Sequence, residues 1–193
     1  FLLVMPTGTS KTRTVVSIMD VMIRAKRAQR ILNLADRREL VKQAIGAIKE
    51  HLPNESISKI ESGEISHGSR IHVATYPSMM QVYSQLSVGY YDLIVADESH
   101  RSIYNRYKGI FERFDSIVLG LTATPTDYID HNTFQLFECE DGNPTFYYAF
   151  EEAVKDKNLV NFKTYHARTG FQLEGIRANQ LSLPLLNQLK DSG

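Results

Sequence analysis

The chain has 193 residues, of which 42% are hydrophobic and 23% charged, ordinary values for a globular domain that exclude a disordered or collagen-like chain. Its 22 basic and 22 acidic residues cancel, so a nucleic-acid partner would have to bind a local basic patch. A single cysteine, Cys139, excludes an internal disulfide framework and suits a reducing cytoplasm. No apolar run approaches the roughly 18 residues that a membrane-spanning helix needs, so we expect no membrane partner.

The first part of the chain alternates apolar runs with amphipathic segments. Residues 1–5, FLLVM, form a near-continuous apolar run, which is typical of a strand covered on both faces. A helical spacing of apolar residues runs from Lys11 to about Ala28, and a second strand over 30–35 and a second helix over 37–52 follow. Because the chain opens inside an apolar run, we expect it to be a fragment of something larger.

The middle of the chain continues this alternation. The sequence predicts strands over 70–75, 92–96 and 116–123, a short helix with Pro77 in its first turn, and a longer helix over 103–114. Strands that alternate with helices predict an α/β fold, in which a mostly parallel sheet carries helices on both faces.

The pattern weakens after Pro125. Residues 126–148 look irregular, a helix is expected over 148–157, and a strand-like segment covers 162–168. Residues 169–193 show no pattern beyond that of a linker or an edge element.

Residues 5–14, MPTGTSKTRT, suggest a phosphate-binding loop. Such a loop needs a buried strand, a tight turn with inward-pointing backbone N–H groups, and a helix N-terminus that faces the anion. Lys11 would reach the β- and γ-phosphates, and the Thr12 hydroxyl would hold Mg²⁺. Met5 and Ser10 stand where the usual pattern has glycines, so the loop taken alone is equally consistent with an ordinary strand-to-helix turn.

Two later strand ends carry groups that suit nucleotide hydrolysis. DLIVADESH (92–100) ends a buried strand with Asp97 and Glu98, of which one can hold Mg²⁺ through water while the other orients and deprotonates the attacking water. GLTATP (120–125) ends another buried strand with hydroxyl groups and a small residue. Each of these segments is also common at the end of an ordinary strand. The phosphate-binding loop, the acid pair and GLTATP at one edge of a parallel sheet, however, together favour a nucleotide site.

These segments together resemble a known family. MPTGTSKT, DESH and TATP resemble motifs I, II and III of superfamily 2 helicases, and RILNLADRRELVKQA and IHVATYPSM resemble the motifs between them. The longer strings DLIVADESHRSIYNRYKGIFERFDSIVLGLTATP and FYYAFEEAVKDKNLVNFKTYHAR are similar to the motor (R) subunit of type I restriction enzymes. The resemblance implies a single RecA-like P-loop domain over 1–168, the first, helicase ATP-binding domain, truncated at its N-terminus. Residues 169–193 would then be a linker or edge segment toward a second RecA-like domain.

That family couples ATP hydrolysis to translocation along double-stranded DNA, so the resemblance implies a DNA-dependent ATPase domain of a type I restriction-modification system. It implies ATP and Mg²⁺ as cofactors and a cytoplasmic location. The implied partners are the backbone of double-stranded DNA and the modification and specificity subunits of a restriction complex. We expect the isolated chain to be inactive, because the arginine finger belongs to the second RecA-like domain of the family. The family also implies that strand 116–121 lies between strands 1–5 and 92–97.

The resemblance assigns roles to individual residues. Those that would bind the nucleotide are Thr7, Gly8, Thr9, Ser10, Lys11 and Thr12. The catalytic residues would be Lys11, Asp97 and Glu98, with Glu98 as the base, and the metal would be held by Thr12 and, via water, Asp97. The residues that would couple the nucleotide to the neighbouring domain are His100, Thr122 and Thr124. The residues that would contact the DNA backbone are Arg37, Arg38, Thr75 and Tyr76. If Ser10 has a positive φ, its side chain costs about 1–2 kcal/mol, and we expect weakened ATP binding.

Two other functions stay open. Another superfamily 2 helicase or translocase, acting on RNA or single strands, would share these motifs, although the string DESHRS favours the restriction motor. A non-hydrolysing binding module would use the fold as a scaffold. Ser10 mildly favours this second alternative, whereas the intact pair Asp97 and Glu98 argues against it.

Overall fold

The structure, a computed structural model, describes residues 1–97, 104–123, 134, 137–140 and 142–162, with only the backbone described for 104–106. Phe1–Val160 form one compact unit. The strand expected over 162–168 and the segment 169–193 lie outside the described residues except at 162, so the domain boundary at 168 stays a prediction.

Strands and helices alternate along the chain. The strands are β1 Leu2–Val4, β2 Ile31–Ala35, β3 Ile57–Ile60, β4 Ile71–Thr75, β5 Leu93–Ala96, β6 Ile117–Thr122 and β7 Phe146–Tyr147. The helices are α1 Lys11–Arg24, α2 Arg38–His51, α3 Tyr76–Met79, α4 Tyr104–Arg113 and α5 Phe150–Lys155, and a 3₁₀ turn lies at Tyr83–Gln85. No helix in the described part of the chain is both long and apolar enough to cross a membrane.

The strands form one seven-stranded sheet in the order β3-β4-β2-β5-β6-β1-β7. Every neighbouring pair in it is parallel. The prediction of a mostly parallel α/β sheet is therefore confirmed. The predicted position of the sixth strand is confirmed too, since β6 pairs with β1 on one side and with β5 on the other.

Helices cover both faces of the sheet, as predicted. One face packs against α1 and α2, where Val16, Met19 and Ile48 are buried among apolar strand residues. The other face packs against α3 and α4 through Met79 and Ile110. Strands with buried residues on both faces are near-continuous apolar runs, and for this reason they were recognisable in the sequence.

The structure departs from the predicted elements in three places. Helix α1 ends at Arg24, earlier than expected, because Lys26 has a φ of 56° and the Arg27 N–H turns back to donate to Met22 O at 2.9 Å. The sequence pattern predicts neither strand β3 nor strand β7, which lies within the irregular-looking stretch 126–148.

The parallel arrangement brings the carboxyl ends of the inner strands to one edge of the sheet. The loop after β1, the turn after β2 and the residues after β5 and β6 all begin at that edge. Parallel α/β sheets bind ligands at this edge, and the residues predicted for the nucleotide site lie there.

Candidate nucleotide-binding site

The loop after β1 is a tight turn held by its own hydrogen bonds. Thr9 donates twice to Pro6 O, from its N–H at 3.4 Å and from its hydroxyl at 2.7 Å. Gly8 has a φ of 91°, a conformation that favours glycine, and a Cβ there would lie 3.0 Å from the Leu159 side chain, a tight contact. The loop therefore has the compact, strained backbone that a phosphate cradle needs.

Ser10 joins this loop to α1 in the left-handed conformation, with φ 60° and ψ 38°. Its carbonyl accepts the hydrogen bond from the Thr14 N–H at 3.2 Å, which starts the helical ladder. Its side chain is exposed and makes no capping hydrogen bond to α1. The positive φ that would make serine costly at this position is therefore present, at about 1–2 kcal/mol for a residue with a Cβ.

A cleft of about 400 Å³ opens beside this loop. The cleft is lined by the loop residues Thr7, Gly8, Ser10, Lys11 and Thr12 and also by Asp97. The remaining lining residues are Val15, Asn33, Leu40, Gln43, Ala44 and Val95. The structure thus brings together the predicted lysine, the predicted metal-binding hydroxyl and the first of the two acids.

Asp97 is fixed by the sheet that carries it. It follows β5 directly, and its N–H donates to Leu34 O at 2.9 Å, which extends the pairing with β2 past the end of the strand. This bond fixes the backbone of Asp97, and so the point from which its side chain starts, relative to β2. Glu98, the proposed base, lies outside the described residues.

The donor set suits a magnesium ion. The Thr12 hydroxyl and the Asp97 carboxylate line the same cleft, and both offer the hard oxygen ligands that Mg²⁺ prefers. Among the described residues, no group of three or more His, Cys, Asp or Glu side chains forms a separate metal site. Since Mg²⁺ in phosphate-binding sites usually takes only one or two carboxylates and keeps several waters, the residues present fit it.

Thr122 connects a second strand end to the loop. It is the last residue of β6, it is fully buried, and its carbonyl accepts the Met5 N–H at 3.0 Å. A displacement of the loop would therefore act directly on the end of β6. The other predicted coupling residues, His100 and Thr124, lie outside the described residues.

The two predicted DNA-contacting arginines begin α2 on the surface. Arg37 is the N-cap residue, and its side chain is 77% exposed, with Nε 3.5 Å from the Asp36 carboxylate. Arg38 is the first helical residue and is also exposed. Helix α2 has no side-chain hydrogen bond from its N-cap residue, so an anion at this end would meet backbone N–H groups and guanidinium groups together.

The two residues at the end of β4 that are predicted to contact DNA, Thr75 and Tyr76, differ in exposure. Thr75 is half-buried and caps α3, with Oγ1 accepting the Ser78 N–H at 3.3 Å. Tyr76 is fully buried and stacks on Tyr107, the ring centroids being 5.2 Å apart. Burial raises the pKa of the Tyr76 hydroxyl well above its usual range. The buried ring of Tyr76 cannot itself touch a DNA backbone, so a contact at this residue would have to come from its main chain, and the contact stays a prediction.

Sequence reasoning missed two amides that line the cleft, Asn33 on β2 and Gln43 on α2. Asn33 could have been noticed, because it is the polar residue in the apolar run ILNLA. Nothing in the helical pattern distinguishes Gln43 from an ordinary solvent-facing residue.

Known proteins are similar to this chain in sequence. Residues 1–127 match the family model described as "Type III restriction enzyme, res subunit". The endonuclease subunit of the type I restriction enzyme EcoKI from Escherichia coli (strain K12) is 33% identical in an alignment 190 residues long that includes 83% of this chain and 16% of that subunit.

Solved structures share the fold. A fragment of a putative HsdR subunit of a type I restriction enzyme from Vibrio vulnificus YJ016 is 26% identical, with a TM-score of 0.58 over 80% of this chain and 27% of that one. The Sulfolobus solfataricus SWI2/SNF2 ATPase core, solved with double-stranded DNA, superposes with a TM-score of 0.61 at 15% identity, over 73% of this chain and 31% of that one. The second likeness concerns the RecA-like fold alone.

Proposed function

The chain belongs to the restriction-enzyme res subunit family, close to the type I endonuclease subunits, and we propose that it is the ATP-binding domain of an ATP-driven DNA translocase. It spans 16% of the length of the EcoKI subunit that it matches, so the activity of the whole protein is part of this proposal. We assign residues 1–168 to the first RecA-like domain and 169–193 to a segment leading toward the second.

One observation carries the proposal. The strained loop, the lysine that begins α1 and the acid that follows β5 line a single cleft at the carboxyl edge of the sheet. An ordinary strand-to-helix turn needs neither the positive φ of Gly8 and Ser10 nor an acid that lines the same cleft. These features together support a site for a nucleoside triphosphate.

Each side chain then has a task in binding and hydrolysis. The backbone N–H groups of Thr7, Gly8 and Ser10 cradle the phosphates, and the Lys11 ammonium neutralises charge on the β- and γ-phosphates. Thr12 and, through water, Asp97 would hold Mg²⁺, which when bound would offset the charge that develops on the transferred phosphoryl group. Glu98, next to Asp97, orients the attacking water and takes its proton.

The DNA backbone is the partner that the exposed groups support. Arg37 and Arg38 project from the start of α2 at the same edge of the sheet as the cleft, and arginine suits phosphate oxygens without reading bases. A motor that moves along DNA needs contacts that do not depend on the base sequence. Thr75, at the neighbouring strand end, is the third candidate of this group.

Coupling between nucleotide and movement would pass through the end of β6. The hydrogen bond from the Met5 N–H to Thr122 O ties the loop to this strand end, so a phosphate that shifts the loop also shifts Thr122. We assign His100 and Thr124 to the same task.

As part of a restriction complex the protein would bind modification and specificity subunits in the cytoplasm, a compartment that its single cysteine suits.

A non-hydrolysing binding module remains the second candidate, because Ser10 adopts a strained conformation at the position where the nucleotide loop usually has glycine. A scaffold without turnover would tolerate such a residue. The presence of Asp97 in the cleft favours the motor over the scaffold.

The test is ATP hydrolysis by a protein that contains this chain and its second RecA-like domain, with duplex DNA, with RNA and with no nucleic acid. We expect stimulation by duplex DNA and loss of hydrolysis in Asp97→Asn. Asp92→Asn is the matched control, since it makes the same change at the opposite end of β5, outside the cleft, and keeps an oxygen that can accept from the Gln29 and Arg30 N–H groups. Stimulation by RNA alone would indicate another superfamily 2 helicase, and full activity in Asp97→Asn would contradict the proposed site.

A further inference from the structure

Asn33 is a polar residue in an apolar place. It lies in the middle of β2, and its side chain is on the face that packs against α1 and α2. Its register partners are Val73 on β4 and Val95 on β5, both part of the buried apolar core. Asn33 itself is 5% exposed.

The amide oxygen of Asn33 has no hydrogen-bond partner among the described residues. This atom, Oδ1, is buried. A buried amide oxygen without a partner costs free energy, and buried polar groups in folded proteins are nearly always satisfied by protein or by ordered water. Because Asn33 lines the nucleotide cleft, a group that enters the cleft can satisfy it.

The register sets the relation between Asn33 and Asp97. Asn33 lies opposite Val95, and Asp97 follows Val95 by two residues, so both side chains stand on the same face of adjacent strands. The spacing of strands and of residues along them gives a Cα separation of about 8 Å. Both side chains line the cleft, and this separation leaves room for one water molecule between the amide and the carboxylate.

The cleft can hold such a water. Its volume of about 400 Å³ exceeds many times the roughly 30 Å³ that one water takes in the liquid. A buried water needs two to four polar partners, and Asn33, Asp97 and Thr12 all line the same cleft.

We propose that Asn33 is a positioning residue for the metal site: through one water molecule, its amide holds the Asp97 carboxylate in the orientation that binds hydrated Mg²⁺. The inference rests on the proposed function, because it assumes that the cleft takes a nucleotide with Mg²⁺. Asn33 would touch neither the nucleotide nor the reacting atoms. Groups that orient metal ligands in this way typically change metal affinity by about 10–100-fold when they are removed.

The test compares the whole chain with Asn33→Leu, which has nearly the same shape but no hydrogen-bonding group. Binding of a fluorescent ATP analogue is titrated with Mg²⁺, and separately measured in EDTA. We expect Asn33→Leu to need about 10-fold more Mg²⁺ for half-maximal binding, with unchanged affinity in EDTA and an unfolding midpoint that is not lowered. Asn33→Ser, which keeps a group able to hold the water, should recover most of the Mg²⁺ response.

Ser58→Ala is the matched control. Ser58 also carries a buried oxygen without a hydrogen-bond partner among the described residues, but it lies on β3 and does not line the cleft. Its Mg²⁺ response should equal that of the unchanged chain.

The outcomes separate the two claims. If the unchanged chain binds the analogue and Asn33→Leu shows the same Mg²⁺ response, Asn33 is only a packed core amide and the inference is overturned, while the proposed function stands. If the unchanged chain binds no nucleotide with or without Mg²⁺, the proposed function and the inference fall together. If Asn33→Leu does not fold, the same comparison is made with Asn33→Ser and Asn33→Val, where equal responses in both would overturn the inference.

Discussion

Replacing Ser10 with glycine should stabilise the chain and improve nucleotide binding by separate physical routes. The residue has φ 60° and ψ 38° in the folded chain, so the strain belongs to the fold itself. Relief of that strain therefore adds to the stability of the fold, whereas an effect on affinity has to come from the space that the Cβ occupies beside the phosphates.

The magnitude follows from two opposing terms. A left-handed residue with a Cβ costs about 1–2 kcal/mol, which glycine removes. Glycine also raises the conformational entropy of the unfolded chain, which lowers the free energy of unfolding by about 0.4–1 kcal/mol. The net gain in the free energy of unfolding is roughly 0.5–1 kcal/mol, or a rise in Tm of about 1–4 °C for a domain of this size. The serine side chain makes no capping hydrogen bond, so none is lost.

The affinity for ATP should rise up to about fivefold, equivalent to about 1 kcal/mol, because the backbone N–H groups can approach the phosphates more closely. The assays are thermal unfolding and equilibrium ATP binding with Mg²⁺. Lys26→Gly is the control, since Lys26 is exposed, has a φ of 56° and lies at the other end of α1. It should raise Tm as Ser10→Gly does and leave ATP affinity unchanged. A Tm that rises in the control but not in Ser10→Gly would refute the strain reasoning.

Three further predictions test other parts of the account. Glu98→Gln should keep nucleotide binding and lower DNA-stimulated hydrolysis by about 10²–10⁴-fold, because the base is removed while the shape is kept; full activity would show that another group is the base. Gly120→Ala should lower the free energy of unfolding in urea by about 1–3 kcal/mol, because a Cβ there would overlap the Phe137 ring; an unchanged midpoint would contradict that packing. Burial lowers the pKa of His72 below its ordinary value of 6.5. The unfolded state therefore takes up a proton first as the pH falls through 6.5, and stability should drop by up to about 1.4 kcal/mol per pH unit until the folded-state pKa is reached. His72→Phe should flatten this drop in urea unfolding between pH 7 and 5, and an equal drop in the variant would exclude His72 as its source.

The long apolar runs made most of the sheet predictable from the sequence. β2, β4, β5 and β6 are buried over most of their length, and burial on both faces of a parallel strand leaves a run that needs no partner to be recognised. The order of β1, β5 and β6 came from the family resemblance, since no local pattern encodes which strands become neighbours.

The missed elements have physical reasons. β3 is a short edge strand, ISKI, whose side chains are mostly half-buried, so it lacks the apolar run. β7 has two exposed residues and exists because it pairs with β1. The loop at Lys11 and the acid at Asp97 were recognisable as motifs, but the burial of Tyr76 was not, because a tyrosine after a strand gives no sign of which way its ring turns.

The site could be predicted only as far as its motifs. That Lys11, Thr12 and Asp97 line one cleft depends on the strand order, and the role of Asn33 depends on the register between β2 and β5. Neither the strand order nor the register can be read from the sequence of one strand, because both depend on which strands pair with each other. The motifs therefore identified the residues of the nucleotide site. The fold added Asn33, which we propose orients the Asp97 carboxylate.

The most direct test of the central claim is equilibrium binding of ATP with Mg²⁺ to the whole chain and to Lys11→Ala. We expect the chain to bind and Lys11→Ala to bind about 10- to 100-fold more weakly, the range that corresponds to losing one charge-assisted hydrogen bond to phosphate. Lys26→Gly, which changes an exposed lysine of the same part of the chain outside the cleft, should bind as the unchanged chain does. Equal ATP affinity in Lys11→Ala and the unchanged chain would contradict the claim that this loop is a nucleotide site.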